Sequence, residues 1–273
     1  MEGRRHNRGW FVLVALLVGT AVTTRGQTGA SCVVIYDVAA DTYWRSDAKA
    51  CAVRLSPAST FKIPHALIAL ETGVITPQTL QQWDGTKYAT RPAWERPHAL
   101  ESAIQNSVLW FFQRTAVKIG PTRMRSFLER FRYGNLDTSG PPDQYWVNGR
   151  LRISADEQVD FLRRFYARDL AIRQEHHETV FHALIEPPGG VQNATGIHTL
   201  SANWKKSDTL SAKTGAGMAF ADPEVRVSWL VGRLSAGGKD YIFASNTVRR
   251  GQLDPVDAAR QAFKVFRERH LID

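Results

Sequence analysis

Candidate strands stand at the two ends of this chain and almost nowhere between, and that arrangement most constrains the fold. Cys32-Val33-Val34-Ile35-Tyr36-Asp37 is rich in β-branched residues, and the stretch onward toward Val53 also reads as strand. Strands return only at Val225 to Gly232 and Lys239 to Ser245, which flank Ser235-Ala236-Gly237-Gly238, a hairpin signal. Pro255 to His270 then has helical composition. A sheet fed from both ends must loop its middle out. The spacing therefore predicts an α+β fold: an α/β sandwich lobe whose antiparallel sheet is completed by both termini, with an all-helical lobe, roughly residues 73–200, inserted in it.

The middle carries helical patterns. Ile63 to Gly73 is an apolar run closed by glycine, Asn106 to Ile119 and Thr122 to Phe131 are two further helices, and Ser154-Ala155-Asp156-Glu157 is a capping box ahead of the stripe Val159, Phe161, Leu162, Phe165 and Tyr166. No internal repeat, low-complexity tract or interdomain linker interrupts them.

The first residues read as an export signal rather than as fold. Arg4, Arg5 and Arg8 precede an apolar stretch from Trp10 to Val22, short for a membrane span, and cleavage fits after Gly26 or as late as Ala30. Residues 27–273 then form one catalytic domain with no permanent membrane anchor, exported to the periplasm of a Gram-negative cell. In such a chain the two cysteines, Cys32 and Cys51, are permitted a disulfide. The formal charge of +9 becomes +6 when four arginines and Glu2 leave with the signal. The remaining arginines are scattered along helices without a nucleic-acid motif, so the charge suits a small anionic substrate rather than nucleic acid.

Chemistry concentrates at Ser59-Thr60-Phe61-Lys62, where a hydroxyl and an amine three residues apart share one helical face at the mouth of the Ile63 run. Such a lysine can serve as the base of a serine nucleophile, and the helix N-terminus favours negative charge there. A second S-x-x-K, Ser46-Asp47-Ala48-Lys49, lies in a charged stretch with no apolar helix behind it and reads as a surface turn. Lys213-Thr214-Gly215, just ahead of the final hairpin, can offer charge, a hydroxyl and open backbone to an anionic acyl substrate. Ser107, in Ser107-Val108-Leu109, can relay a proton. Tyr133-Gly134-Asn135 reads as a helix-ending turn that shapes a wall, and Trp146 carries an indole donor that needs a partner if buried. His176, His177 and His182 do not make a zinc motif, because the window from His177 ends on Phe181 where the second histidine belongs, so no metal is expected.

S-T-F-K, S-V-L, Y-G-N and K-T-G stand in that order, with Trp146 between the third and fourth. Together with the longer strings Ser56 to Pro64, Trp83-Asp84-Gly85 and Ser228 to Gly232, they make the chain resemble a class D (oxacillinase-type) serine β-lactamase of the penicillin-binding transpeptidase-like fold, over nearly all of its mature length. The resemblance implies that Ser59 attacks the lactam carbonyl of a small-molecule β-lactam, with the oxyanion on the backbone N–H groups of Ser59 and Ala216. It implies that Lys62 is carboxylated by carbon dioxide and acts as general base, with no cofactor beyond carbon dioxide or bicarbonate as the source of that carbamate. Phe61, Val108, Leu109 and Val147 would wall the carbamate, Trp146 would donate to it, and Ser107 would protonate the leaving nitrogen. Lys213, Thr214, Gly215 and Arg260 would bind the substrate, with Arg249 or Arg250 as alternatives for Arg260. Leu109 departs from the valine usual in the family's second motif, which implies altered rates rather than lost activity. Two other readings share the acylation step: a penicillin-binding DD-peptidase, and a β-lactam sensor domain that does not turn over. The resemblance leaves a monomer or a homodimer open.

Overall fold

A computed structural model describes Met1, Gly3 and residues 31–273. The remaining residues of the expected export signal, and both cleavage points, lie outside the described residues. None of the described helices is long and apolar enough to cross a membrane.

Five strands form one antiparallel sheet: β1 (Cys32–Asp37), β2 (Thr42–Arg45), β5 (Thr209–Met218), β6 (Val225–Ala236) and β7 (Lys239–Arg250), in the order β2-β1-β7-β6-β5. The first strand lies beside the last, with Val34 opposite Ala244, so both ends of the chain complete the sheet. β6 and β7 turn at Gly237-Gly238, whose φ angles of +57° and +74° are those a two-residue hairpin of this hand requires. Their residues are buried almost throughout, because helices cover both faces. On one face lies α8 (Asp257–Glu268), with Phe263 and Phe266 against Phe243 and Leu230. On the other lies α6 (Ala155–Tyr166), which packs on β1, β6 and β7.

The helical part is built from α2 (Lys62–Glu71), α3 (Leu100–Gln105), α4 (Leu109–Ile119), α5 (Pro121–Phe131) and α7 (Gln174–Ala183). The capping box at Ser154 forms in full, Ser154 Oγ accepting from Glu157 N and Glu157 accepting from Ser154 N. Three expectations are corrected. Beyond β2 the strand does not continue toward Val53: Asp47 accepts from Ala50 N at 2.8 Å and caps a short helix, α1 (Ala48–Cys51). Helix α4 starts at Leu109 rather than Asn106, because Ser107 adopts φ +52° and turns the chain out of the helix first. And a two-stranded hairpin, β3 (Gly190–Asn193) with β4 (Gly196–Thr199), lies ahead of β5 where only helix was anticipated. Cys32 and Cys51 are joined, their Cα atoms 5.2 Å apart, which ties β1 to α1.

Candidate active site

The chain enters α2 through a single 3-10 turn, Ala58–Phe61, which carries Ser59. This turn is held from several sides. Trp229 Nε1 donates to Ser56 O at 2.9 Å from β6, Ser56 Oγ donates to Trp146 O at 2.9 Å, and Gln158 Nε2 of α6 donates to Thr60 Oγ1 at 2.8 Å. Strand β5 passes so close that a Cβ on Gly215 would sit 3.0 Å from Pro57 O and 3.1 Å from the Thr60 side chain. Glycine is what lets the sheet edge approach the serine.

Lys62, one helical turn on, places Nζ 2.7 Å from Ser59 Oγ and is 1 % exposed. Burial, then the charges of Lys213 and Arg91, hold its pKa well below the usual lysine range. A neutral amine at that distance can take the serine's proton. Apolar rings enclose it. Phe112 lies 5.4 Å from Nζ, and the neighbours of Lys62 on the helix, Phe61 and His65, pack on Trp146 at 5.6 and 5.5 Å. Trp146 is fully buried, and its indole N–H has no acceptor among the described residues. Both ring nitrogens of His65 are also without partners among them, and burial followed by the Lys62 charge pushes that imidazole down to about 3.

Ser59 opens on a cleft of about 140 Å³. Ser107, Leu109 and Val147 form one wall; Thr214, Gly215 and Ala216 form the other. Val108 is fully buried behind the first. The positive φ of Ser107 is the strain that brings its side chain to the cleft, and the turn is fastened by Val108 N to Ala103 O at 2.8 Å and Trp94 Nε1 to Asn106 O at 2.9 Å. β5 is the sheet's edge strand; its outward groups at Leu210 and Ala212 pair with Glu186 N and Leu184 O at 2.9 and 2.8 Å, and beyond them Thr214 to Ala216 line the cleft. Lys213 is buried behind Thr214, its Nζ 3.3 Å from Thr214 Oγ1. Burial lowers its pKa, against the opposing pull of Glu186.

Arg260 is placed differently from expectation. It is half exposed on α8 and paired with Asp254 at 2.7 Å and Asp257 at 3.2 Å, and it does not line the cleft. Arg249 and Arg250 likewise face Asp257 and Asp222. The arginine at the cleft is Arg91, lying over the Trp94 ring at 5.0 Å. Its loop has no periodicity from which a sequence could place it. Phe112 was also unanticipated; its position one turn after Val108 on an apolar helix is the signal that was present.

Tyr133-Gly134-Asn135 acts from behind. Tyr133 packs edge-on against Phe61, while Asn135 Oδ1 accepts from Arg152 N at 2.8 Å and its Nδ2 donates to Arg150 O at 2.9 Å, which clamps the segment after Trp146. The histidines are not gathered: His176 bonds Glu71 at 2.7 Å, and His177 stacks on Phe165. A larger groove of about 630 Å³ lies elsewhere, between Tyr36, Arg163, Arg164 and Arg233. Its lining includes no serine, threonine, cysteine, lysine or histidine, so the smaller cleft, with Ser59 beside Lys62, is the candidate site.

The family described as penicillin binding protein transpeptidase domain matches residues 19–266. The chain is 36 % identical over 211 residues to β-lactamase OXA-10 of Pseudomonas aeruginosa, covering 74 % of this chain and 73 % of that one. Among solved structures it is similar to the class D β-lactamase YbXI from Nostoc, with a TM-score of 0.77, 29 % identity, and coverage of 89 % and 94 %. It is also similar to the C-terminal domain of the BlaR penicillin receptor of Bacillus licheniformis, with a TM-score of 0.78, 28 % identity, and coverage of 90 % and 92 %.

Proposed function

Because the chain belongs to the penicillin-binding protein transpeptidase family, as a class D serine β-lactamase, we propose that it hydrolyses the β-lactam amide of penicillin-type antibiotics and so confers resistance to them. The reaction runs through a covalent Ser59 acyl-enzyme with carboxylated Lys62 as general base. The observation that carries this reading is the 2.7 Å approach of Lys62 Nζ to Ser59 Oγ in surroundings that strip the amine of water.

Ser59 Oγ forms a bond to the lactam carbonyl carbon as its proton passes to the base at Lys62. Negative charge developing on the carbonyl oxygen is met by the backbone N–H groups of Ser59 and Ala216. The C–N bond then opens, and the Ser107 hydroxyl gives its proton to the leaving nitrogen while taking up the one held by the base at Lys62, which is thereby free to act again. Lys213, with Thr214 and Gly215, holds the substrate carboxylate, and Arg91 adds positive charge at the cleft mouth where Arg260 does not reach. Water activated by the same base releases the acyl group.

Two features support carboxylation. Carbon dioxide reacts only with a neutral amine, releasing one proton, and burial favours the neutral form of Lys62. The unpartnered indole N–H of Trp146, beside Phe61 and His65, is a donor suited to an anionic group at that position. When formed, the carbamate supplies an anionic base in place of the amine. The apolar rings of Phe61 and Phe112, with Val108, Leu109 and Val147, keep it from bulk water.

The likeness to the BlaR receptor favours one second reading, a sensor that is acylated without turnover. Purified mature protein is expected to hydrolyse a chromogenic cephalosporin continuously, faster when bicarbonate is added. Stoichiometric labelling of Ser59 with no turnover would instead establish the sensor, or a DD-peptidase. The leader-like basic and apolar run, with the Cys32–Cys51 bond, supports export to the periplasm of a Gram-negative cell.

A further inference from the structure

The β3–β4 hairpin brings to the catalytic cleft a side chain that the proposed chemistry does not use. Asn193 ends β3, is 5 % exposed, and lines the cleft together with Ser59, Ser107 and Ala216. Its carboxamide is fixed in one orientation. Thr195 N donates to Asn193 Oδ1 at 2.8 Å and the Thr195 hydroxyl does so at 2.7 Å, with His198 Nε2 at 3.3 Å. A backbone N–H can only donate, so the atom it meets is the amide oxygen and the other is the NH2 group. That Nδ2 has no acceptor among the described residues, and it is shielded from solvent. A buried donor left unpaired is costly, and one in a cleft wall invites an acceptor from whatever enters the cleft.

The hairpin that carries Asn193 is anchored. Gln192 Nε2 donates to Asn106 Oδ1 at 3.2 Å, next to Ser107, and Gln192 N donates to Glu186 Oε2 at 2.6 Å. At its base Leu200 N and Ser201 N donate to Gly189 O at 2.8 and 2.9 Å. The donor is therefore held by the Asn106 turn on one side and by the base of its own hairpin on the other.

We propose that Asn193 is a specificity-determining residue whose Nδ2 donates to the carbonyl of the acylamino side chain of a penicillin-type substrate. The inference rests on the β-lactam reading of Ser59, and the choice of acceptor follows by elimination. The lactam oxygen is met by Ser59 and Ala216 N–H groups, and the substrate carboxylate suits the charge of Lys213. The acceptor left on such a substrate is the neutral side-chain carbonyl, and a neutral amide donor matches it.

Benzylpenicillin and 6-aminopenicillanic acid share nucleus and carboxylate, and only the first carries that carbonyl. Asn193→Asp keeps the oxygen that Thr195 caps and removes the donor. Its kcat/KM is expected to fall about tenfold or more with benzylpenicillin and less than about twofold with 6-aminopenicillanic acid. Asn193→Ala is expected to shift the ratio of the two substrates in the same direction even if the hairpin loosens, and thermal midpoints report the folding of each variant. Equal losses with both substrates would overturn the proposal, because Asn193 would then only support the wall. Wild-type turnover of 6-aminopenicillanic acid tests the β-lactamase reading separately. Should the wild-type protein be acylated without turnover, acylation rate constants for the same pair decide the role of Asn193. Absence of acylation by either compound would remove both.

Discussion

Lys62 shows what a single residue contributes and what it costs. A fully buried amine beside a hydroxyl is poor for stability and good for chemistry. In bicarbonate-free buffer, Lys62→Met is expected to abolish turnover while raising unfolding free energy by about 1–4 kcal/mol, read by urea titration. The sign follows from linkage. The unfolded amine keeps its proton up to about pH 10.4, whereas the folded amine sheds it earlier, so the wild type gains stability as pH rises through that window and Lys62→Met does not. His65 acts on the acid side. Its imidazole titrates at about 3 when folded against 6.5 when free, so the unfolded chain binds the extra proton between those values and stability falls as pH drops from 6.5 toward 3. Replacing it, as in His65→Leu, is expected to flatten that limb in denaturant titrations across the same range. Ser59 and Lys62 were legible in sequence because three-residue spacing fixes a shared helical face. Arg260 lies away from the cleft for the converse reason: its order within a helix does not fix which way the helix is turned, and α8 directs it toward Asp254 and Asp257.

At the scale of elements, the walls of the cleft depend on connections as much as on helices and strands. Gly134 is the sharpest case. Its φ of +59° disfavours a side chain, and an added Cβ would lie 2.1 Å from Arg152 O, in the segment that follows Trp146. Gly134→Ala is expected to cost more than about 2 kcal/mol and to slow turnover together with it, measured by thermal unfolding and initial rates. The end strands and the capping box at Ser154 were legible because β-branched runs and cap spacing are local signals. The β3–β4 hairpin was not. Its strands are four residues each and β4 is mostly exposed, so no apolar alternation marks it. Its one signal is the turn Asn193-Ala194-Thr195-Gly196, where asparagine and glycine suit a tight reversal.

For the whole molecule, the antiparallel sheet completed by both termini was legible because β1 and the final hairpin lie near the two ends of the chain, and a sheet so fed has few ways to close. The Cys32–Cys51 bond fastens the first of these strands. It closes a loop with a separation of 19 residues, for which loss of unfolded-state entropy gives about 3 kcal/mol. The double variant Cys32→Ser, Cys51→Ser is expected to unfold at lower temperature with kcat nearly unchanged, because neither sulfur lines the cleft. The placement of β1 between β2 and β7 also has a temporal consequence. During synthesis the first strand emerges more than two hundred residues before its inner neighbour, so the central sheet cannot assemble until the ribosome has nearly finished. A first strand that must wait for the last leaves its inner edge without its partner until translation is nearly complete, and that open edge is where a newly made copy is exposed to pairing with another chain.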